Sequence, residues 1–340
     1  MASTTSFVGL GAKSSGSWQK LEKIEFEPKQ FEDHDVDIRV QYCGSTLYPS
    51  VVGHEVVGEV VKVGDKVRSV GIGDIVGVGP NVWSCGKCSA CDRDLEQYCP
   101  DLVEAYNFKY RDGSRSYGGY ANYIRVDERF VFPVPEDIPP EEVAPLFCAG
   151  LTVFSPLKAQ GVNSKSRVGI VGLGGLGHYA VSFASALGAK VTVISHSPSK
   201  KEDALELGAT GFICTTVSDW ASAHARSFDV ILCTSFALDL PVPEYLSLLD
   251  VGGTLVYVGI PEHDLAALPP GLMIGNNSAL RGSNTGSRKD VLEMLELVKS
   301  KRTRSWVSVH TMSQASEVVQ KQAKGEARYR FVLRMDQSLM

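Results

Sequence analysis

The 340-residue chain contains no run of eighteen or more apolar residues, which excludes a hydrophobic membrane-spanning helix. It has no block of like charge either. Its 34 Lys and Arg stand against 39 Asp and Glu, for a formal net charge of −5. A basic surface for nucleic acid or an anionic membrane is therefore not expected. The opening residues Met1-Ala-Ser-Thr-Thr-Ser6 have neither a charged start nor an apolar core. No secretory leader is expected, and a cytoplasmic setting is. Internal repeats and low-complexity tracts are missing too, so a repeat array is not indicated, and Gln337-Ser-Leu-Met340 reads as a loose tail. Cysteine is not scarce, at eight, but half of it is confined to Cys85, Cys88, Cys91 and Cys99. Without an export signal, such clustering points away from a disulfide framework and toward a metal.

What is present is organised around Arg167-Val-Gly-Ile-Val-Gly-Leu-Gly-Gly-Leu-Gly-His178. A short apolar run breaks into glycines, and a helical pattern, Tyr179 to Leu187, follows at once. Strand, glycine turn and helix together are the setting of a dinucleotide site. Gly172 permits the tight turn, Gly174 lets the backbone approach a pyrophosphate, and Gly177 lets helix and strand pack closely. Leu173, Gly175 and Leu176 complete the loop. The helix N-terminus then offers unpaired N–H groups to the phosphates.

The strand after that helix ends at Val193-Ile-Ser195. An NAD site usually places Asp or Glu there, to accept from the adenosine ribose. This chain has Ser195-His-Ser-Pro-Ser-Lys-Lys201, and its first acid is Glu202. Hydroxyls and ammonium groups favour a 2′-phosphate that a carboxylate would repel. NADP is the expected cofactor, with Ser195, Ser197 and Lys200 as contacts and His196 as a further candidate.

Along the chain, Val36 to Tyr42 alternates apolar and polar residues as a half-buried strand does. Short β-rich runs follow, with turn signals at Gly64-Asp65 and Gly73-Asp74; a small barrel-like β domain is expected. A helix is predicted from about Glu141, with Cys148 inside it. From Val168 strands alternate with helices: strands at 168–171, 190–195, 211–214, 228–233, 253–258 and 278–281, and helices such as Lys200 to Leu207 and Val242 to Leu249. This alternation predicts a parallel, doubly wound α/β sheet. A closing helix, strand, helix and strand (Lys289 to Lys299, Ser305 to His310, Ser313 to Lys324, Arg330 to Leu333) reads as a return to the first domain. The spacing Cys-x₂-Cys-x₂-Cys-x₇-Cys suits one tetrahedral Zn²⁺ held by four thiolates, a closed site that leaves no place for substrate and is therefore structural.

Gly53-His-Glu55, the four-cysteine loop, Cys148-Ala-Gly-Leu-Thr152, the glycine loop and Arg328-Tyr-Arg-Phe331 occur in this order. In that combination the chain resembles the zinc-containing medium-chain alcohol dehydrogenases, in particular the NADP-dependent, cinnamyl alcohol dehydrogenase-like branch. The resemblance implies a GroES-like catalytic domain (1–154), an inserted Rossmann domain (155–286) and a C-terminal return (287–340). It implies a homodimer that oxidises a primary alcohol to an aldehyde, reversibly. It also implies, by position, that His54, Glu55 and Cys148 hold a catalytic zinc and that Thr152 lies near the nicotinamide.

One departure stands out. In that family a Cys-Gly-x-Cys-x-Ser-Asp run and a further segment precede Gly-His-Glu, whereas here Tyr42-Cys-Gly44 leads almost directly to Gly53. Cys43 matches the first cysteine of the run, and the ligand is the second. Three outcomes stay open: Cys43 takes the ligand place, since closing a short loop costs little; His54, Glu55 and Cys148 hold zinc with water; or no metal binds there. With the last, the chain reads as an NADPH-dependent reductase of an activated alkene or iminium, or as an inactive cofactor-binding scaffold.

Overall fold

The computed structural model describes residues 6–12, 18–43, 51–237, 239–260, 264–265 and 268–337; the side chains of residues 42 and 43 also lie outside the described set. Two compact units divide the chain. One comprises Met1–Cys148, Ser287–Lys299 and Ser305–Met340, and the other Ala149–Gly286 and Ser300–Arg304.

In the first unit, β1 (Phe7–Gly11) and β2 (Glu22–Phe26) form an antiparallel ribbon. The main sheet takes β3 (Asp35–Cys43), β4 (Val56–Val63) and β5 (Ile75–Val78). The next two strands, β6 (Asn81–Trp83) and β7 (Val103–Glu104), pair with each other on either side of the cysteine loop. β8 (Tyr123–Asp127) pairs β3, β9 (Phe132–Pro133) closes onto β5, and a single turn of helix, α1 (Pro140–Val143), follows. β3 shows how its alternation works. Val36, Ile38 and Val40 enter the apolar core, while Asp35 and Asp37 point to the other face and are buried as well. Each therefore has a cation, because an unpaired buried carboxylate is strongly disfavoured. Lys29 Nζ meets Asp35 at 2.5 Å, and Arg125 bridges both oxygens of Asp37 at 2.7 and 2.9 Å.

The second unit begins with α2 (Ala149–Ala159) and continues with β10 (Arg167–Val171), α3 (Gly177–Ala186), β11 (Lys190–Ser195), α4 (Lys201–Glu206) and β12 (Gly211–Cys214). Then come α5 (Trp220–Ala223), β13 (Phe228–Cys233), α6 (Val242–Ser247), β14 (Leu249–Tyr257), α7 (Pro270–Ile274) and β15 (Ala279–Gly282). All six strands are parallel, in the order β12-β11-β10-β13-β14-β15. The order reverses beside β10, and ligands of such sheets bind at that point, beyond the carboxyl ends of the strands. The return adds α8 (Arg288–Lys301), β16 (Val307–Thr311), α9 (Ala315–Ala323) and β17 (Arg330–Arg334). β17 carries β16 on one side and joins β3 on the other, giving the order β16-β17-β3-β4-β5-β9.

Two local expectations are corrected. Cys148 is not inside a helix: α1 stops at Val143, a 3-10 turn runs from Ala144 to Phe147, and Cys148 takes φ −124° at the break before α2. Pro145 has no N–H to donate and its ring crowds the preceding turn, which disfavours a continuous α-helix there. The helix expected over Val242 to Leu249 ends at Ser247, and β14 starts at Leu249. Leu249 pairs with Phe228 across a register shift and is completely buried, so sheet pairing overrides the helical pattern.

Candidate cofactor and metal sites

The glycine loop connects β10 to α3. Gly172 has φ +86°, in the left-handed region where a side chain is strained, and its N–H donates to the Ile194 carbonyl at 3.0 Å. A Cβ on Gly177 would lie 2.1 Å from the Gly172 carbonyl oxygen, so only glycine lets the helix start there. Around Gly174 no atom lies within 4 Å of such a Cβ, which leaves the backbone open to an approaching phosphate. Thr234, at the end of β13, grips the loop from the other side, donating through Oγ1 to the carbonyls of Val171 (2.9 Å) and Gly172 (3.1 Å). Leu173 is buried, and Gly175 and Leu176 are partly exposed.

Beyond β11, Ser195 is buried and its Oγ accepts from the Ser197 amide at 3.2 Å. His196 is exposed. Lys200 reaches back to the glycine loop, where Nζ donates to the Leu173 carbonyl at 2.7 Å. Serine hydroxyls and an ammonium group thus gather beside the loop, and Glu202, the first acid, stands on α4.

The four cysteines bring their sulfur atoms within 4.8 Å of one another. The Cys85 amide points at Cys99 Sγ (3.4 Å), and Cys88 and Cys91 sulfurs are 3.5 Å apart. The thiols have unequal acidity. Amide donation from Cys91 draws Cys88 down to about 7, whereas burial pushes Cys99 up to about 12. Four soft donors with short N–H···S contacts fit a tetrahedral d¹⁰ ion.

A second cluster lies in the same unit. Gly53, at φ +99°, turns the chain so that His54 follows a stretch paired to 118–120: the Gly118, Gly119 and Tyr120 amides donate to Val51, Gly53 and Val52 carbonyls. Cys148 Sγ lies 3.1 Å from His54 Nε2, and a Glu55 oxygen falls within 4.8 Å of both. Burial lowers the His54 pKa, Glu55 opposes this, and Arg330 adds to it. The imidazole is therefore neutral at neutral pH, the form that ligates a metal. Glu55, only 2% exposed, is held by Arg330, whose Nη2 donates to both carboxylate oxygens at 2.6 Å. The His54 ring stacks on Tyr106 with centroids 5.6 Å apart and planes at 5°.

Sequence reasoning thus placed together His54, Glu55 and Cys148, and separately the four cysteines and the glycine loop. Thr152 is buried in α2 of the other unit. The Cys43 side chain and the link 44–50 lie outside the described residues. The roles of Arg330, Tyr106 and Thr234 were missed. Arg330 carried a signal as part of the Arg328-Tyr-Arg-Phe331 motif, and Thr234 another, its place just past the carboxyl end of a predicted strand.

Profiles of two families match the chain, the alcohol dehydrogenase GroES-like domain over residues 30–136 and the zinc-binding dehydrogenase over 175–300. The chain is 40% identical to NADP-dependent alcohol dehydrogenase 6 of Saccharomyces cerevisiae, over 96% of each protein. That alignment spans 348 positions, so about 22 of them have no counterpart in the 340 residues here. Among solved structures, a cinnamyl alcohol dehydrogenase of Sorghum bicolor superposes with a TM-score of 0.92 at 36% identity, over 97% of each chain. The CAD of Helicobacter pylori, complexed with NADP(H), gives 0.90 at 31% identity, over 98% of this chain and 99% of that one.

Proposed function

Because this chain belongs to the zinc-containing medium-chain alcohol dehydrogenases, we propose that it is an NADP-dependent, zinc-containing oxidoreductase of primary alcohols and aldehydes. The observation that carries the reading is the meeting of His54, Glu55 and Cys148 in one cluster, in a chain whose glycine loop is flanked by serines and lysine. Cinnamyl-type substrates are the class favoured by the relatives' names.

A bound zinc supplies a Lewis acid for the substrate oxygen, and the nicotinamide supplies or accepts the hydride. The chain's residues do the rest. His54 and Cys148 present a neutral imidazole and a thiol at 3.1 Å, in position to share one ion. Arg330 holds Glu55 in place and balances its charge. Gly172, Gly174 and Gly177 would hold the pyrophosphate, and Ser195, Ser197 and Lys200 the 2′-phosphate, with His196 as a further candidate contact. Thr152 would lie near the nicotinamide. Cys85, Cys88, Cys91 and Cys99 hold a structural zinc. The same reading makes the protein a cytoplasmic homodimer; among the described residues no helix is long and apolar enough to cross a membrane.

The short link between Cys43 and His54 favours one other reading: an NADPH-dependent reductase without catalytic zinc. Metal analysis separates the two. About two zincs per chain, one of them lost in Cys148→Ser, together with NADPH oxidation by cinnamaldehyde, supports the alcohol dehydrogenase. One zinc and no aldehyde turnover sinks it.

A further inference from the structure

Helix α8 starts where the chain re-enters the first unit, at Ser287. The first amides of a helix lack partners within it. Two of them are satisfied locally: Ser287 N–H donates to Asp290 Oδ2 at 3.0 Å, and Asp290 N–H to Ser287 Oγ at 3.1 Å, a reciprocal cap. The Arg288 amide is satisfied from elsewhere. It donates to Glu96 Oε1 at 2.6 Å, from a residue 192 positions earlier. Glu96 is 6% exposed and sits in the 3-10 turn Glu96–Tyr98, between Cys91 and Cys99. The Cys99 amide donates to the Glu96 carbonyl at 3.0 Å.

The same helix start is tied to the other end of the cysteine loop. Arg288 Nε donates to the Arg129 carbonyl at 2.7 Å. Arg129 Nη2 donates to the carbonyl of Ser84, the residue before Cys85, at 3.0 Å. Its Nη1 lies over Gly86, 2.9 Å from where a Cβ would stand. Asp127 fixes the guanidinium edge at 2.9 and 3.0 Å. Ser84, Arg129, Arg288 and Glu96 therefore close a circuit from Cys85 to Cys99. The loop it spans has only short 3-10 turns of its own.

We propose that metal in the four-cysteine loop is coupled to the start of α8 through Glu96 and Arg129. The ion gathers the loop, the loop sets Glu96 on the Arg288 amide, and Arg129 offsets the thiolate charge while anchoring Arg288. Both are positioning residues, not ligands. This rests on the structural-zinc reading of the loop.

Hydrogen exchange on the full chain tests it, with zinc counted before and after stripping with dipicolinate under reducing conditions. Stripping should raise exchange at the Arg288 amide about tenfold, the equivalent of one lost hydrogen bond. The amides of β4 should stay unchanged, and restored zinc should reverse the effect. Cys148→Ser should respond in the same way, which isolates the four-cysteine loop. With zinc bound, Glu96→Ala should already exchange at the fast rate and no longer respond; Glu96→Gln, which keeps the acceptor oxygen, should respond again. The wild-type comparison needs no substitution and stands if a variant misfolds. A loop that takes up no zinc overturns both the zinc reading and the coupling. A loop that binds zinc while Arg288 exchange ignores it, or rises only together with β4, overturns the coupling alone.

Discussion

Gly177→Ala tests the contact on which the cofactor loop is built. The added Cβ would stand 2.1 Å from the Gly172 carbonyl oxygen, nearly 1 Å inside the 3.0 Å that real Cβ atoms respect. That oxygen cannot swing aside, since Thr234 Oγ1 holds it at 3.1 Å and the Gly172 amide is bonded to Ile194. Helix α3 must instead back away from β10. Overpacking of this kind costs about 1–3 kcal/mol. For a unit of this size that lowers Tm by about 2–12 °C. Gly174→Ala makes the opposite case. No atom lies within 4 Å of its Cβ, so stability should change by less than about 0.5 kcal/mol. The methyl group nevertheless occupies the approach of the pyrophosphate, and the Kd for NADPH should rise about tenfold or more, that is by at least about 1.4 kcal/mol. Thermal unfolding without cofactor and fluorescence titration with NADPH read the two effects separately. A Gly177→Ala protein that melts with the wild type refutes the steric reasoning. A Gly174→Ala protein that binds NADPH as tightly as the wild type refutes the placing of the phosphate.

Arg125→Ala leaves the buried Asp37 carboxylate without its bidentate partner. A loss of about 3–5 kcal/mol is expected in urea unfolding, and Asp37→Asn in the same chain should recover part of it. The Arg167 guanidinium holds the Asp229 carboxyl below the usual carboxylate value of 3.8. Its folded pKa lies under its unfolded one, so the pair's contribution is present above about pH 4 and is lost as pH falls through the folded value. Arg167→Met should therefore flatten the change in unfolding free energy between pH 5 and pH 3, and an unchanged slope would contradict the assignment. Because both side chains are about two-fifths exposed, the effect should be small and should shrink with added salt. Lys200→Ala removes an ammonium tied to the glycine loop. Affinity for NADPH should fall about tenfold in titration while that for NADH changes little; equal losses would place Lys200 in loop support alone.

The two-unit plan was legible because each unit repeats a simple pattern. β3 alternates, and the second half switches to strand and helix in turn, so β11, β12 and β13 match their predicted bounds of 190–195, 211–214 and 228–233. The pattern failed where a local rule met a stronger constraint. Pro145 broke the helix ahead of Cys148, and the pairing of Leu249 with Phe228 drew the end of a helical stretch into β14.

The chain by itself determined the donor types and their spacing: thiols at 85, 88, 91 and 99, glycines at 172, 174 and 177, and no acid between Ser195 and Lys201. Spacing is decisive within a loop, because a few residues of backbone limit how far apart the donors can sit. Only the tertiary structure decided which distant groups meet. Glu55 and Arg330 are 275 residues apart, and Glu96 and Arg288 192. The physical reason is the need to satisfy buried polar groups. A carboxylate 2% exposed requires a cation and an orphan helix amide requires an acceptor, but local sequence does not say which distant residue the fold will bring to each.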